Sequence, residues 1–194
     1  MVLEQVLEQS GLRKDYEYHS QVNLTQTDGK RLQPDVVIHM PENKDVVVDA
    51  KVTLVAYEQY QNAEDDAQRS SALADHLASV KAHIKAISEK YILEGTTADG
   101  AIMFLPSEAV YAELHSNFPE LIREGFEARV WIVSPTTCMA TLNTMRAILK
   151  DARMREQAGA IRTALRQLHR DVELVVDRVD KLNTHFNQAR KDIE

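Results

Sequence analysis

Asp35, Asp49 and Lys51 are the residues of this chain whose types and spacing point most directly to chemistry. Asp49 and Lys51 stand two residues apart in the apolar run Asp45 to Val52, DVVVDAKV. Its near-continuous valines suit a strand buried on both faces. Side chains two apart on a strand leave the same face, so the carboxylate and the ammonium project together. Asp35 follows Pro34 at the start of the preceding strand, Asp35 to Met40, and Pro41 to Lys44 reads as the hairpin connection. Pairing through that turn brings Asp35 toward Asp49. Two carboxylates so placed repel each other unless a cation lies between them. A hard ion, Mg²⁺ or Mn²⁺, suits such oxygen donors, and the Ala50 main-chain carbonyl is a further candidate ligand. Lys51 cannot ligate a metal, but its charge stabilises an anion or orients a water. The set suits phosphodiester hydrolysis, in which the metal polarises a phosphate oxygen and activates the attacking water. The plainer account is a strand-start aspartate beside a structural Asp49–Lys51 ion pair, which stabilises little when buried.

Other candidates are weaker. Gln21, expected on the first strand, could hydrogen-bond a phosphate, and Tyr57, opening the long helix, could contact substrate; solvent exposure and packing are their ordinary roles. His76 and His83 share a helix face seven residues apart, with Asp75 nearby, yet lack the HExxH spacing and any cysteine partner of a zinc site. Lys81, Lys85 and Lys90 form either a phosphate-binding stripe or a solvated face. Ser107, Ser134, Thr136 and Thr137 follow strands and suit helix caps, with phosphate binding at a helix N-terminus as the sharper reading. No GxSxG, GxGxxG or GxxxxGK[ST] pattern occurs, which disfavours a serine hydrolase and nucleotide cofactors.

The elements that must position Asp35 and Asp49 follow from periodicity. Val2, Leu3, Val6 and Leu7 predict a helix closed by Ser10-Gly11. Tyr16 to Leu24 predicts a strand and Thr27 to Lys30 a turn, ahead of the two strands above. A long helix is expected over roughly Tyr57 to Tyr91, then a strand at Gly100 to Leu105, helices after Pro106 and Phe118, and a last strand at Arg129 to Val133. The order implies an α/β fold, a mixed sheet flanked by helices. Residues 1–150 form this domain and residues 151–194 a long helix. In that helix Met154, Ala158, Ile161, Leu165, Leu168, Val172, Val175, Val179, Leu182, Phe186, Ala189 and Ile193 alternate steps of four and three. The strict 3.5-residue period favours a coiled coil, and hence a homo-oligomer, over a helix packed on its own domain.

Composition bounds these readings. The 194 residues, 44% hydrophobic and 27% charged, can build a real core and are not those of a disordered chain. A net charge of −7 argues against coating nucleic acid by counterion release, so any DNA contact must use a local patch. The single cysteine, Cys138, excludes an intramolecular disulfide and suits a buried structural role in a reducing compartment. No run of about 18 apolar residues is present to span a membrane, and the N-terminus lacks the basic region of a signal peptide. A cytoplasmic location without membrane contact is the expectation.

Pro34-Asp35 and Asp49-Ala50-Lys51, on adjacent strands after a helix, resemble the motif of the PD-(D/E)xK nuclease superfamily. Along most of the domain, from Leu3 to Arg155, the segments QPDVVIHMPENKDVVVDAKVTLVAYEQY, DHLASVKAHIKAISEKY, MFLPSEAVYAEL and VWIVSPTTCMATLNTM resemble the RmuC family of bacterial DNA-recombination proteins. The resemblance implies a restriction-endonuclease-like fold, DNA as partner, and a role in limiting recombination at inverted repeats. Asp35, Asp49 and Lys51 alone match the nuclease motif residue by residue. The resemblance also implies an N-terminal membrane or coiled-coil region in full-length members. It further implies a metal-binding glutamate on the first helix or in a Gly-Glu pair just upstream of it. Glu4 and Glu8 are the candidates within this sequence. A non-catalytic DNA-associated scaffold that assembles through the C-terminal helix is the alternative.

Overall fold

Helix α1, Val2–Ser10, buries Leu3, Val6, Leu7 and Ser10 along one side, the stripe that its helical spacing dictates. The computed structural model describes residues 2–22, 24–25, 31–50 and 55–193. Helix α1 ends where Gly11 takes φ +74°, a conformation that a residue without Cβ adopts without strain. The Arg146 guanidinium then donates to the Ser10 carbonyl at 2.8 Å.

The chain divides into two compact units, Met1–Leu149 and Lys150–Glu194. In the first, strands β1 (Tyr18–Ser20), β4 (Val36–Met40), β5 (Lys44–Asp49), β6 (Ala101–Phe104) and β7 (Val130–Val133) form one sheet in the order β1-β4-β5-β6-β7. The pairings β1·β4 and β4·β5 are antiparallel, while β5·β6 and β6·β7 are parallel. The sheet is therefore mixed, as expected. Strands β2 (Leu24–Thr25) and β3 (Arg31–Leu32) pair separately with each other.

Alternation along the strands splits the core into two layers. Val36, Ile38, Val46, Val48, Ile102 and Phe104 meet α1 and the start of α6 (Pro135–Ile193), which contributes Cys138, Leu142 and Met145. Val37, Val47, Ala101 and Met103 meet α3 (Asp66–Tyr91), α4 (Glu108–Asn117) and α5 (Pro119–Glu127). Cys138 is fully buried, as expected, and burial pushes its thiol up to about 12.

Three boundaries differ from expectation. The strand expected over Tyr16 to Leu24 stops at Ser20, because Gln21 turns to φ +55° and donates its N–H to the Asp35 carbonyl at 2.9 Å. The helix expected as one piece from Tyr57 is two, α2 (Val55–Gln61) and α3. Asp65 caps α3 by accepting from the Gln68 N–H at 2.7 Å, which fixes a separate start. Strand β5 ends at Asp49, while Lys51, Val52 and the turn expected at Thr27 to Lys30 lie outside the described residues.

Ser107 caps α4 through the Val110 N–H, as expected. Ser134 and Thr137 bond each other's backbone N–H at the start of α6, at 3.3 and 2.8 Å. Glu108 also accepts from the Thr136 N–H at 2.7 Å, and hydrogen bonding from the Thr136 side chain first, then from that N–H, holds its carboxyl below the usual range. On β7 the side chain of Trp131, the only tryptophan of the chain, lies against Gly100, where a Cβ would come within 2.8 Å of the ring. The second unit is helical throughout its described length and keeps its apolar residues exposed, Ile161 at 60%, Leu168 at 59% and Phe186 at 71%. Among the described residues no helix is long and apolar enough to cross a membrane.

Candidate functional site

The β4·β5 ladder places the two aspartates. Val36 stands opposite Val48, so Asp35, one residue before the pair, and Asp49, one after it, face each other at the open end of the hairpin. The Asp35 carboxylate accepts the Ala50 N–H at 2.8 Å, closing that end where the ladder stops. Asp49 follows the alternation of Val47 and lies toward α3, on the opposite side of the sheet from α1. It is 5% exposed, an uncommon place for a carboxylate without partners. The Tyr91 hydroxyl, on the last turn of α3, donates to it at 3.4 Å.

Tyr91 registers both charges. Burial first, then the negative charges of Asp49 and Asp35, push its phenol up to about 12. Asp49 also forms part of the wall of a cavity of about 310 Å³, shared with Ser79, His83, Lys90 and Tyr91 of α3. An acidic wall thus faces a helix that carries a lysine and a histidine.

The structure brings Asp35, Asp49 and Ala50 together, whereas Lys51 lies outside the described residues. Two carboxylates and a main-chain carbonyl are hard oxygen donors and fit a hard divalent ion in chemical type. Among the described residues, no three His, Cys, Asp or Glu side chains converge as a metal site. Glu4 and Glu8 are exposed residues of α1, whose buried side packs in the other layer.

The remaining candidates separate. Gln21 is exposed, just past the end of β1. Tyr57 packs against Tyr60 and His76, with ring centroids 6.0 and 5.4 Å away. His76 is 2% exposed with both ring nitrogens unpaired, and burial lowers its pKa below the ordinary value against a weaker pull from Glu113. His83 lines the cavity instead, so the two histidines do not form one site. Lys81 pairs with Glu124 at 2.7 Å and Lys85 with Glu89 at 3.8 Å, while Lys90 lines the cavity that Asp49 borders. Sequence reading missed Tyr91 and Lys90 as neighbours of Asp49. The only available signal was that they end the helix that crosses back to β6.

The RmuC family matches residues 1–194. The chain is 39% identical to the DNA recombination protein RmuC of Escherichia coli strain K12, over 100% of this chain and 43% of that protein. It is 36% identical to the RmuC homolog of Vibrio cholerae, over 100% of this chain and 38% of that protein. For the Pseudomonas aeruginosa homolog the identity is 39%, over 98% of this chain and 43% of that protein. The chain thus spans less than half the length of these relatives. No solved structure matches it. With the match running its whole length, the chain belongs to the RmuC family.

Proposed function

We propose that this chain carries a divalent-metal-dependent DNA nuclease site of the PD-(D/E)xK kind, on a restriction-endonuclease-like sheet. In this reading Asp35, Asp49 and the Ala50 carbonyl hold Mg²⁺ or Mn²⁺, and Lys51 orients the attacking water and offsets charge on the phosphate. Bound there, the ion supplies Lewis acidity toward a phosphodiester oxygen. Tyr91 fixes the Asp49 carboxylate, and Lys90 and His83 line the space beside it. The observation that carries the reading is the opposition of Asp35 and Asp49 across the β4·β5 register, with Asp49 buried beside a cavity. The relatives named DNA recombination proteins support DNA as substrate. In this reading the process is limitation of inverted-repeat recombination, in the bacterial cytoplasm.

The test is cleavage of linear, single-stranded and hairpin DNA with Mg²⁺ or Mn²⁺, comparing the chain with Lys51→Ala and Asp49→Asn. Cleavage by the parent that both variants lose is the expected outcome. Cleavage that survives both substitutions would sink the assignment of these residues. The absence of a third converging carboxylate among the described residues favours a second reading, a non-catalytic DNA-associated scaffold. Under it, DNA binds without cleavage. In either reading the exposed heptad stripe of the second unit joins copies of the chain into a homo-oligomer.

A further inference from the structure

At the other end of the β4·β5 hairpin, three polar side chains form a chain of their own. His39 and Asp45 are directly opposed partners in the ladder, and the His39 Nδ1 lies 2.8 Å from the Asp45 carboxylate. His19 pairs in register with Val37, so it sits diagonally across from His39 on the same sheet face. Its Nδ1 is 2.6 Å from the His39 Nε2, with the rings 69° apart. The side chains of His39 and Asp45 are 38% and 26% exposed, so solvent and ions reach them.

The carboxylate fixes the chemistry of the pair. Ionised Asp45 can only accept, so His39 donates from Nδ1 and, when neutral, presents a lone pair at Nε2. A carboxylate behind a histidine that aims its free nitrogen outward is the usual support of a metal-ligating imidazole. A second imidazole nitrogen already stands in front of that lone pair. The two nitrogens need only open from 2.6 Å to about 3.3 Å to take adjacent corners of a tetrahedral ion with metal–nitrogen distances of about 2.0–2.1 Å.

We propose that His19 Nδ1 and His39 Nε2 bind a divalent transition ion of the imidazole-seeking class, Zn²⁺ being the probe, with Asp45 orienting His39. The ion takes the place of the proton shared by the two rings, and that proton moves to His19 Nε2. Water fills the remaining positions, because no third His, Cys, Asp or Glu joins the pair among the described residues. Nitrogen donors separate this site in kind from the oxygen donors Asp35 and Asp49, since imidazole suits Zn²⁺ and carboxylates suit Mg²⁺.

The test is calorimetric titration of the whole chain with Zn²⁺ in excess Mg²⁺, with ¹⁵N spectra of the imidazoles. One equivalent of Zn²⁺ binding despite Mg²⁺, with the His19 Nδ1 and His39 Nε2 signals moving together, is expected. The double variant His19→Gln/His39→Gln should lose that equivalent while its thermal melt without metal stays cooperative. Asp45→Asn should weaken binding by about 10–100-fold, the usual effect of removing such an orienting carboxylate. Three results would overturn the proposal: no Zn²⁺ uptake by the parent, uptake unchanged in the double variant, or uptake lost in Asp35→Asn/Asp49→Asn. The imidazole spectra are read on the parent protein, so they stand even where a variant folds poorly.

Discussion

Asp35 commits a carboxylate oxygen to the amide that follows Asp49, at 2.8 Å, and so closes the hairpin and sets its charge beside a second carboxylate. The two roles separate by substitution. Asn keeps an acceptor for the Ala50 amide and removes the charge, so Asp35→Asn should leave the metal-free melt nearly unchanged and abolish any Mg²⁺-dependent rise in Tm. Asp35→Ala should also cost about 1 kcal/mol of stability, because the amide loses its partner. Differential scanning calorimetry with and without Mg²⁺ reads both, and a Mg²⁺ shift that persists in Asp35→Asn would remove Asp35 from the metal site. His76 gives a second prediction. Its ordinary value is 6.5 and burial lowers it in the fold, so the unfolded chain binds the proton first as pH falls. The stability linked to His76 is thus present above pH about 6.5 and is lost on acidification below it. His76→Leu removes two unpaired buried nitrogens and that linkage, so between pH 7 and pH 5 its Tm should fall less than that of the parent; equal slopes would refute this. The sequence showed Asp35, Asp49 and the strand that buries Asp49. It gave no sign of Tyr91 or Lys90, because their approach depends on how α3 packs over the sheet.

The elements carry the site by register and by caps. The β4·β5 register was legible because a short Pro-containing turn joins two valine-rich strands, and the valines had to alternate between two core layers. The break between α2 and α3 was less legible, since helical spacing runs on either side and the Asp65 cap competes with it only locally. The end of β1 was not legible, because Gln21 at φ +55° is held by a bond to the Asp35 carbonyl, a contact remote in sequence. Helix α1 ends in a similarly demanding way. At Gly11, φ is +74° and an added Cβ would meet the Arg146 guanidinium that bonds the Ser10 carbonyl. Gly11→Ala should therefore cost the left-handed penalty of about 1–2 kcal/mol and in addition displace Arg146. Urea denaturation checks this, and a change below about 0.5 kcal/mol would show that the helix end shifts to absorb the methyl.

Across the described residues, the first unit packs most of its apolar residues into two core layers, and the second displays its own. Cys138, Leu142, Met145 and Leu149 step by four, three and four into the core, and a step of five to Met154 then begins the separate exposed stripe. A stripe that keeps the 3.5-residue period through Phe186 is the seam on which the proposed second copy would pack. Leu168→Glu/Val175→Glu should therefore reduce the mass measured by light scattering to that of one chain, with the fold of the first unit retained. An unchanged mass would place any assembly elsewhere. This separation was legible in the sequence because heptad spacing and sheet-directed spacing obey different counts; the partner was not, because a stripe specifies a seam and not its occupant. Trp131 adds an optical consequence. As the only tryptophan, seated on β7 against Gly100, it reports the first unit alone, whereas circular dichroism at 222 nm is weighted by the long helix. Denaturation followed by both signals on one sample thus carries two separate clocks. If the units melt independently the emission and ellipticity curves part, and dilution should move only the ellipticity curve when chain association stabilises the helix.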